Sequence, residues 1–524
     1  MGGAGSLAEV AMSRLAAAGT DLMFGVPGGG PNIDMIEKGA EAGIRFVLTH
    51  GETAACISAG VYGNLTRSPG LAAVTRGPGV TSAANGMAQA TLDRFPVLLL
   101  SDAVPAAERD RFVHQRLDQN AIMVPLTKWT GTLGYENPAE VVERAARLAV
   151  DSPAGGVHLD FDLTAPGDLP PEPPLPTRTD PEALEAARRM VATSIRPLFL
   201  VGAAAAPHTE EVRMLVEGLG APALVTYQAK GVIPDTSPSY GGLFTNALSE
   251  RPLVEAADLI VAVELDPVEP LARPWPYTTP VLALNHRPLS DSYYPVAVEV
   301  NGPLDGSLRT LQTAFSTEWP KKAGPEHNGR VLEDLHAESR GFSPFELMDA
   351  VAEASPDDPI VTVDAGAHFL VIMPFWRVSR PLDLLISNGL ATMGFALPAA
   401  IGAGLARPGR PVLCLTGDGG LGMAMAELET VVRLDLDVTV VVFNDSALSL
   451  IEIKQDGQGP EGSRPYRYGP SDFAAAARAM GMDGYVATEP DQVRRALASG
   501  RGPKLIDARV SPEVYTHVIE TARG

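Results

Sequence analysis

An apolar run, Val412–Thr416 (VLCLT), leads directly into Gly417-Asp418-Gly419-Gly420. A second run, Val438–Phe443 (VTVVVF), ends in Asn444-Asp445. The stretch between them, LGMAMAELETVVRL, reads as one helix, so the whole is a single strand–helix–strand crossover. Strands joined that way are parallel and adjacent or nearly so, which sends Asp418 and Asp445 into one crevice. Two hard oxygen ligands beside a glycine loop suit Mg²⁺, which takes its remaining ligands from phosphates and water. The glycines let the backbone approach a phosphate, and the helix after them offers free N–H groups. The plainer alternative is a strand–helix turn, with Asp418 as a cap and Asp445 as a surface turn residue. Spacing and strand context favour the metal reading.

Other polar and glycine-rich stretches also sit at strand ends. His50-Gly51-Glu52 follows the run Arg45–Thr49, and Glu52 is the only acidic residue between Phe46 and Asn64. Taken alone, Glu52 reads as a carboxylate at a helix start, favoured by the dipole. Phe24–Gly29 (FGVPGG), Gly77–Thr81 (GPGVT), Asp364–His368 (DAGAH) and Asn388–Ala400 (NGLATMGFALPAA) are further loops of this type.

Positioning such loops requires parallel sheets with helices on both faces, because short β-rich runs alternate with helical stretches throughout. The strand candidates are Arg45–Thr49, Leu71–Thr75 and Val97–Ser101, then Leu198–Gly202, Ala223–Thr226, Leu259–Val263 and Val281–Asn285. Ile360–Asp364, Leu384–Ser387, Val412–Thr416, Val438–Asn444 and Lys504–Arg509 complete the set. The proline-rich spacer Leu169–Pro176 and the polar, aperiodic stretch Thr317–Arg330 divide the chain into segments 1–165, 180–315 and 340–524. Three domains are also what 524 residues imply. No short repeat is evident, although three similar α/β segments suggest repetition at the level of the domain.

Composition narrows the partners. Forty-one basic against 63 acidic residues leave a formal charge of −22, which repels phosphate backbones and anionic lipid. Nucleic-acid and membrane partners are therefore not expected. Two cysteines, Cys56 and Cys414, support neither a disulfide framework nor a Cys-rich zinc site. With no signal-like N-terminus and no long apolar run, a cytoplasmic location is the expectation.

The crossover motif resembles the cofactor motif of the thiamine-diphosphate enzymes of the pyruvate decarboxylase, benzoylformate decarboxylase and acetolactate synthase group. There it is Gly-Asp-Gly, a helix, and an Asn-Asn pair. Here the pair reads Asn444-Asp445. The resemblance implies three domains (pyrimidine-binding, Rossmann-like central, diphosphate-binding), with Mg²⁺ held by Asp418, Asp445 and the carbonyl of Ala447. It implies that Gly417, Gly419 and Gly420 line the diphosphate together with Ala367 and His368. Met393 would prop the two cofactor rings apart, and the carbonyl of Ala391 would accept the 4′-amino group. Glu52 matches the glutamate that protonates the pyrimidine N1′. Thr75, Pro78 and Asn85 belong to the matching Gly-Pro-Gly turn and its surroundings. His50, His114 and Gln115 are the polar candidates for proton transfer to intermediates.

The pattern sits closest to the acetolactate-synthase-like branch, which implies carboligation of a 2-oxo acid through a C2 ylid and an enamine. The acceptor would be an aldehyde or a second 2-oxo acid. Several branch marks are absent. Gly241–Thr245 (GGLFT) replaces the segment that contacts FAD, which leaves FAD doubtful. Leu450 and Lys454 stand where Met and Trp select the substrate, and Gly51 rather than His precedes Glu52. A decarboxylase releasing an aldehyde, or a catalytically silent member of the fold, are the alternatives. An NAD-dependent oxidoreductase would need Gly-x-Gly-x-x-Gly, whose spacing GVPGGG lacks. In the resembled family, first and third domains meet across a subunit interface, which implies a homodimer or homotetramer.

Overall fold

The computed structural model describes residues 6–172, 178–289, 293–455 and 465–523. Three six-stranded sheets, parallel throughout, follow one another along the chain. The first contains β1 (Leu22–Gly25), β2 (Arg45–Leu48), β3 (Gly70–Val74), β4 (Val97–Asp102), β5 (Trp129–Leu133) and β6 (Gly156–Phe161), in the order β2-β1-β3-β4-β6-β5. The second has β7 (Pro197–Val201), β8 (Ala223–Val225), β9 (Tyr240–Leu243), β10 (Leu259–Val263), β11 (Val281–Asn285) and β12 (Val298–Asn301), ordered β12-β11-β10-β7-β8-β9. The third has β13 (Ile360–Val363), β14 (Leu384–Ile386), β15 (Val412–Gly417), β16 (Val438–Asn444), β17 (Asp483–Ala487) and β18 (Lys504–Arg509), ordered β14-β13-β15-β16-β18-β17.

The first and third sheets therefore share one topology. The middle sheet has the doubly wound order, with its reversal between β7 and β10. Repetition at domain level holds for the outer pair only. Most strands are buried on both faces, as β3, β4, β15 and β16 show along their whole length. Such strands read as continuous apolar runs, which is why the sequence reveals them.

Six strands escape that reading. β6 (GVHLDF) is wholly buried yet carries His158 and Asp160, which hydrogen-bond Ser101 at 2.8 and 2.7 Å. β1, β5, β9, β12 and β17 are short, glycine-containing or polar at one edge.

One continuous core runs from the first sheet into the third. At its centre, helix Glu52–Thr66 packs on helix Ala396–Ala406. Small residues make that approach possible: a Cβ on Gly402 would lie 2.4 Å from the carbonyl oxygen of Ser58. The Ser58 hydroxyl donates to the carbonyl of Pro398 at 2.8 Å.

One segment differs from expectation. The stretch Thr317–Arg330 is not an unstructured boundary, since helix Ala323–Leu335 begins within it. Its Gly324 lies against the backbone of Ser239 and Tyr240, and buried His327 pairs with the carbonyls of Gly241 and Ser249. Packing supplies what periodicity did not announce. Part of the proline-rich spacer, residues 173–177, lies outside the described residues. No helix among the described residues is long and apolar enough to cross a membrane.

Candidate active site

β15 and β16 are adjacent and in register from Val412↔Val438 to Gly417↔Phe443, so their loops leave side by side. Asp418 is the first residue of helix Asp418–Ala424 and only 3% exposed. Its Oδ1 accepts the Gly419 N–H and the Tyr468 hydroxyl, both at 2.7 Å, and its Oδ2 accepts the Ser446 N–H at 2.7 Å. That last bond ties the two strand ends together. Burial raises the Asp418 pKa. Asp445 accepts the Ala447 N–H at 3.2 Å and the Ser449 hydroxyl at 2.5 Å. Its pKa is pushed up to about 6 by burial, reinforced by the Asp418 carboxylate. Two carboxylates on adjacent strand-end loops, close enough for one to raise the pKa of the other, are a place where a cation would be stabilising.

The helix expected between these strands is interrupted. Helix Asp418–Ala424 is followed, after Met425 and Ala426, by helix Glu427–Arg433. The first helix also starts earlier than expected, at Asp418, so Gly419 and Gly420 lie inside its first turn.

Each glycine of the loop has a reason. A Cβ on Gly419 would meet Leu448 at 2.6 Å, Met393 at 3.2 Å and the Tyr468 hydroxyl at 3.3 Å. One on Gly420 would lie 2.6 Å from Asp364 Oδ2. Asp364, at the end of β13, is the hub here, accepting N–H groups of Ala365, Gly394 and Ala396 and the Thr416 hydroxyl. Burial pushes its pKa to about 6. It thereby fixes the 388–400 loop against the Gly-Asp-Gly turn.

His368, second residue of helix Ala367–Phe375, stacks on Phe443 with ring centroids 5.4 Å apart. Its ring lies where a Cβ on Gly417 would come within 3.0 Å. Burial drives its pKa down to about 3, so the ring is neutral. Its Nε2 is buried with no hydrogen-bond partner among the described residues. A buried polar ring nitrogen without a partner is costly, and a polar group of a ligand would satisfy it. A cleft of about 630 Å³ opens beside Asp418, Gly419, Met425 and Tyr468. No group of three or more His, Cys, Asp or Glu side chains among the described residues could hold a metal ion by itself. A cation between Asp418 and Asp445 would thus take its other ligands from a backbone carbonyl such as that of Ala447, from phosphate and from water, in the manner of Mg²⁺. The residues present fit a metal-bound diphosphate.

Ala391 has a left-handed backbone (φ 52°) and is exposed, as its loop makes a tight turn beside Met393. In the first domain, Glu52 opens helix Glu52–Thr66 behind Gly51. Thr75 directly follows β3 and is packed by Gly28, whose Cβ would lie 2.4 Å from it. Pro78 starts helix Pro78–Leu92, and Asn85 on that helix donates to the Thr392 hydroxyl at 2.8 Å. His50 is turned toward helix Glu427–Arg433, its Nε2 2.8 Å from Glu429. His114 and Gln115 are exposed, with Gln115 in a left-handed conformation against Gly77.

The C-terminal residues thus form one cluster. Within the chain, no hydrogen bond or ion pair among the described residues links Glu52, His114 or Gln115 to it. Three residues escaped sequence reading. Gln119 is buried and accepts the Gly77 N–H at 2.7 Å, holding the Gly-Pro-Gly turn. Tyr468 approaches Asp418 from far along the chain, with no local signal. Glu427 is an acid within an apolar helical run, and that contrast was the available signal.

Family models match in the same order as the three sheets. They are the thiamine pyrophosphate enzyme N-terminal TPP binding domain (residues 6–122), central domain (184–302) and C-terminal TPP binding domain (364–508). The chain belongs to the thiamine pyrophosphate enzyme family. Across 96% of its length it is 30% identical to an acetolactate synthase of Bacillus subtilis, covering 93% of that protein. It is 29% identical to a catabolic acetolactate synthase of Raoultella terrigena, over 95% of this chain and 94% of the relative. A "Probable 2-ketoarginine decarboxylase" of Pseudomonas aeruginosa is 29% identical over 93% of this chain and 90% of its own. The protein is therefore acetolactate-synthase-like within that family.

Proposed function

We propose that the protein removes CO₂ from a 2-oxo acid with thiamine diphosphate and Mg²⁺ and joins the remaining acyl unit to a second carbonyl compound. The observation that carries this reading is the Asp418–Asp445 pair at adjacent strand ends, with the ring of His368, its Nε2 unpartnered, packed beside Gly417 in the same turn. When bound, the cofactor supplies the electron sink for decarboxylation.

The chain's own residues supply the rest. Asp418, Asp445 and the Ala447 carbonyl would hold the metal, and His368 would present its unpartnered Nε2 beside the diphosphate. Met393, crowded against Gly419, shapes the floor of the cofactor site. Glu52 holds a proton at the pyrimidine nitrogen, and Gln115 and His114 sit on an exposed loop able to reach a neighbouring subunit. No hydrogen bond or ion pair among the described residues joins Glu52 to the C-terminal cluster within one chain, and this reading therefore takes a homodimer as the smallest complete unit. With an aldehyde acceptor, one 2-oxo acid and a proton give a 2-hydroxyketone and CO₂.

A second reading is supported by Leu450 and Lys454 and by the likeness to a protein named a decarboxylase. There the same intermediate stage is closed by a proton, and an aldehyde is released. One experiment tests both. Purified protein with thiamine diphosphate and Mg²⁺ is given pyruvate and aryl, acidic and basic 2-oxo acids, with CO₂ and carbonyl products measured. A 2-hydroxyketone or 2-hydroxy-3-oxo-acid condensation product supports carboligation, and an aldehyde alone supports the second reading. No CO₂ from any donor, with cofactor bound, refutes both and favours a silent member of the fold.

A further inference from the structure

The residues just ahead of Glu52 are held by another domain. Glu427, 2% exposed, accepts the His50 N–H at 2.8 Å, and the Gly51 backbone hydrogen-bonds the same carboxyl. Its second oxygen accepts the Thr430 hydroxyl at 2.7 Å. Arg433, one and a half turns on, donates to the carbonyl of Leu48 at 2.6 Å. Helix Glu52–Thr66 starts behind Gly51, which has no side chain with which to cap it. The Gly51 N–H at the cap position needs an acceptor, and a carboxylate there also opposes the positive end of the dipole. Three donors converge on Glu427, and an ionised carboxyl is the side chain that only accepts.

We infer that Glu427 is a cross-domain cap that fixes the helix start bearing Glu52, and is thereby a positioning residue for the proton transfer at Glu52. The inference rests on the role given to Glu52 under the proposed function. A shift of about 1 Å in a proton-transferring group costs on the order of 100-fold in rate. Helix Glu427–Arg433 follows the helix that begins with Asp418 after two turn residues, so one short span of chain carries both the metal loop and the clamp on residues 48–51.

The test compares full-length wild type, Glu427→Ala, Glu427→Gln and Glu52→Gln, each with thiamine diphosphate and Mg²⁺. In Glu427→Ala, kcat for CO₂ release falls about 10- to 100-fold while KM stays within about twofold. Exchange of the cofactor C2 proton for deuterium, read by NMR after acid quench, slows in parallel. Amide exchange at His50 and Gly51, read by mass spectrometry, accelerates. Glu427→Gln, whose carbonyl can still face those two N–H groups, recovers most of the rate. Should Glu427→Ala fail to fold, Glu427→Asp replaces it, with the same directions expected. A folded Glu427→Ala with unchanged kcat and C2 exchange overturns the inference. So does equal loss in the Ala and Gln variants with unchanged amide exchange at His50 and Gly51. If Glu52→Gln turns over like wild type, it is the role of Glu52 that fails. A dead Glu52→Gln beside a fully active Glu427→Ala refutes the capping role alone.

Discussion

The central and C-terminal domains both open a crevice where their strand order reverses, and they treat it in opposite ways. In the central domain the crevice is filled from within. Glu269, 5% exposed, accepts the Ala203 N–H at 2.7 Å, the Thr226 hydroxyl at 3.0 Å and the Asp266 N–H at 3.3 Å. Glu264 spends both oxygens on His286, at 2.5 and 2.7 Å. A dinucleotide phosphate would have to displace the chain's own carboxyl group. In the C-terminal domain the equivalent loops are glycines, and His368 Nε2 is left without a partner. The fold builds the crevice in both places. Whether an anion can enter is decided by one or two side chains.

That contrast can be broken at several points. The largest effect is expected for Asp418→Ala, which should weaken Mg²⁺-dependent thiamine diphosphate binding about 100-fold or more in titration calorimetry. Glu269→Ala should leave that affinity unchanged. If Asp418→Ala binds normally, the C-terminal crevice is not the cofactor site.

Next in size is Gly202→Ala, whose Cβ would lie 2.0 Å from the Glu264 carbonyl oxygen. Overpacking against backbone should cost about 2–3 kcal/mol in denaturant unfolding. Gly422→Ala, with nothing within 4 Å, should be neutral or mildly stabilising. Equal stability of the two variants would show that the central crevice is looser than drawn.

Glu269→Ala should destabilise by about 1–3 kcal/mol, because Ala203, Asp266 and Thr226 lose their acceptor.

A further contrast concerns pH. Burial pushes the Glu269 pKa from 4.5 up to about 8. A raised carboxyl pKa favours the folded state below the unfolded value, and that contribution disappears as pH rises through about 8. Thermal stability should therefore fall between pH 5 and about 8–9 in wild type, and Glu269→Gln should flatten that fall while staying within about 1 kcal/mol at pH 6. An unchanged slope in Glu269→Gln would assign the pH dependence to other groups.

Much of the fold was legible before any coordinates, for a simple reason. Strands buried on both faces must be apolar throughout, so β3, β4, β7, β10, β11, β13, β15 and β16 stand out as runs. β6 did not, because its His158 and Asp160 are satisfied by Ser101, a partner two strands' worth of sequence away. The same distinction governs the site. Asp418 and Asp445 were legible because one crossover places them together, whatever the rest of the chain does. Tyr468 and Gln119 were not, since each meets its partner only after distant segments pack.

By itself, then, the sequence determined three α/β units and the local motif that brings two carboxylates to neighbouring strand ends. Those are consequences of short-range periodicity and glycine spacing. Tertiary structure alone decided that the outer domains share one strand order and the middle one does not. It also decided that Asp364 and His368 close around the Gly-Asp-Gly turn, that Glu269 plugs the central crevice, and that Glu427 caps the Glu52 helix from another domain. Each of these depends on burying a polar group against a partner far away in sequence, where its cost is met by hydrogen bonds no local pattern encodes.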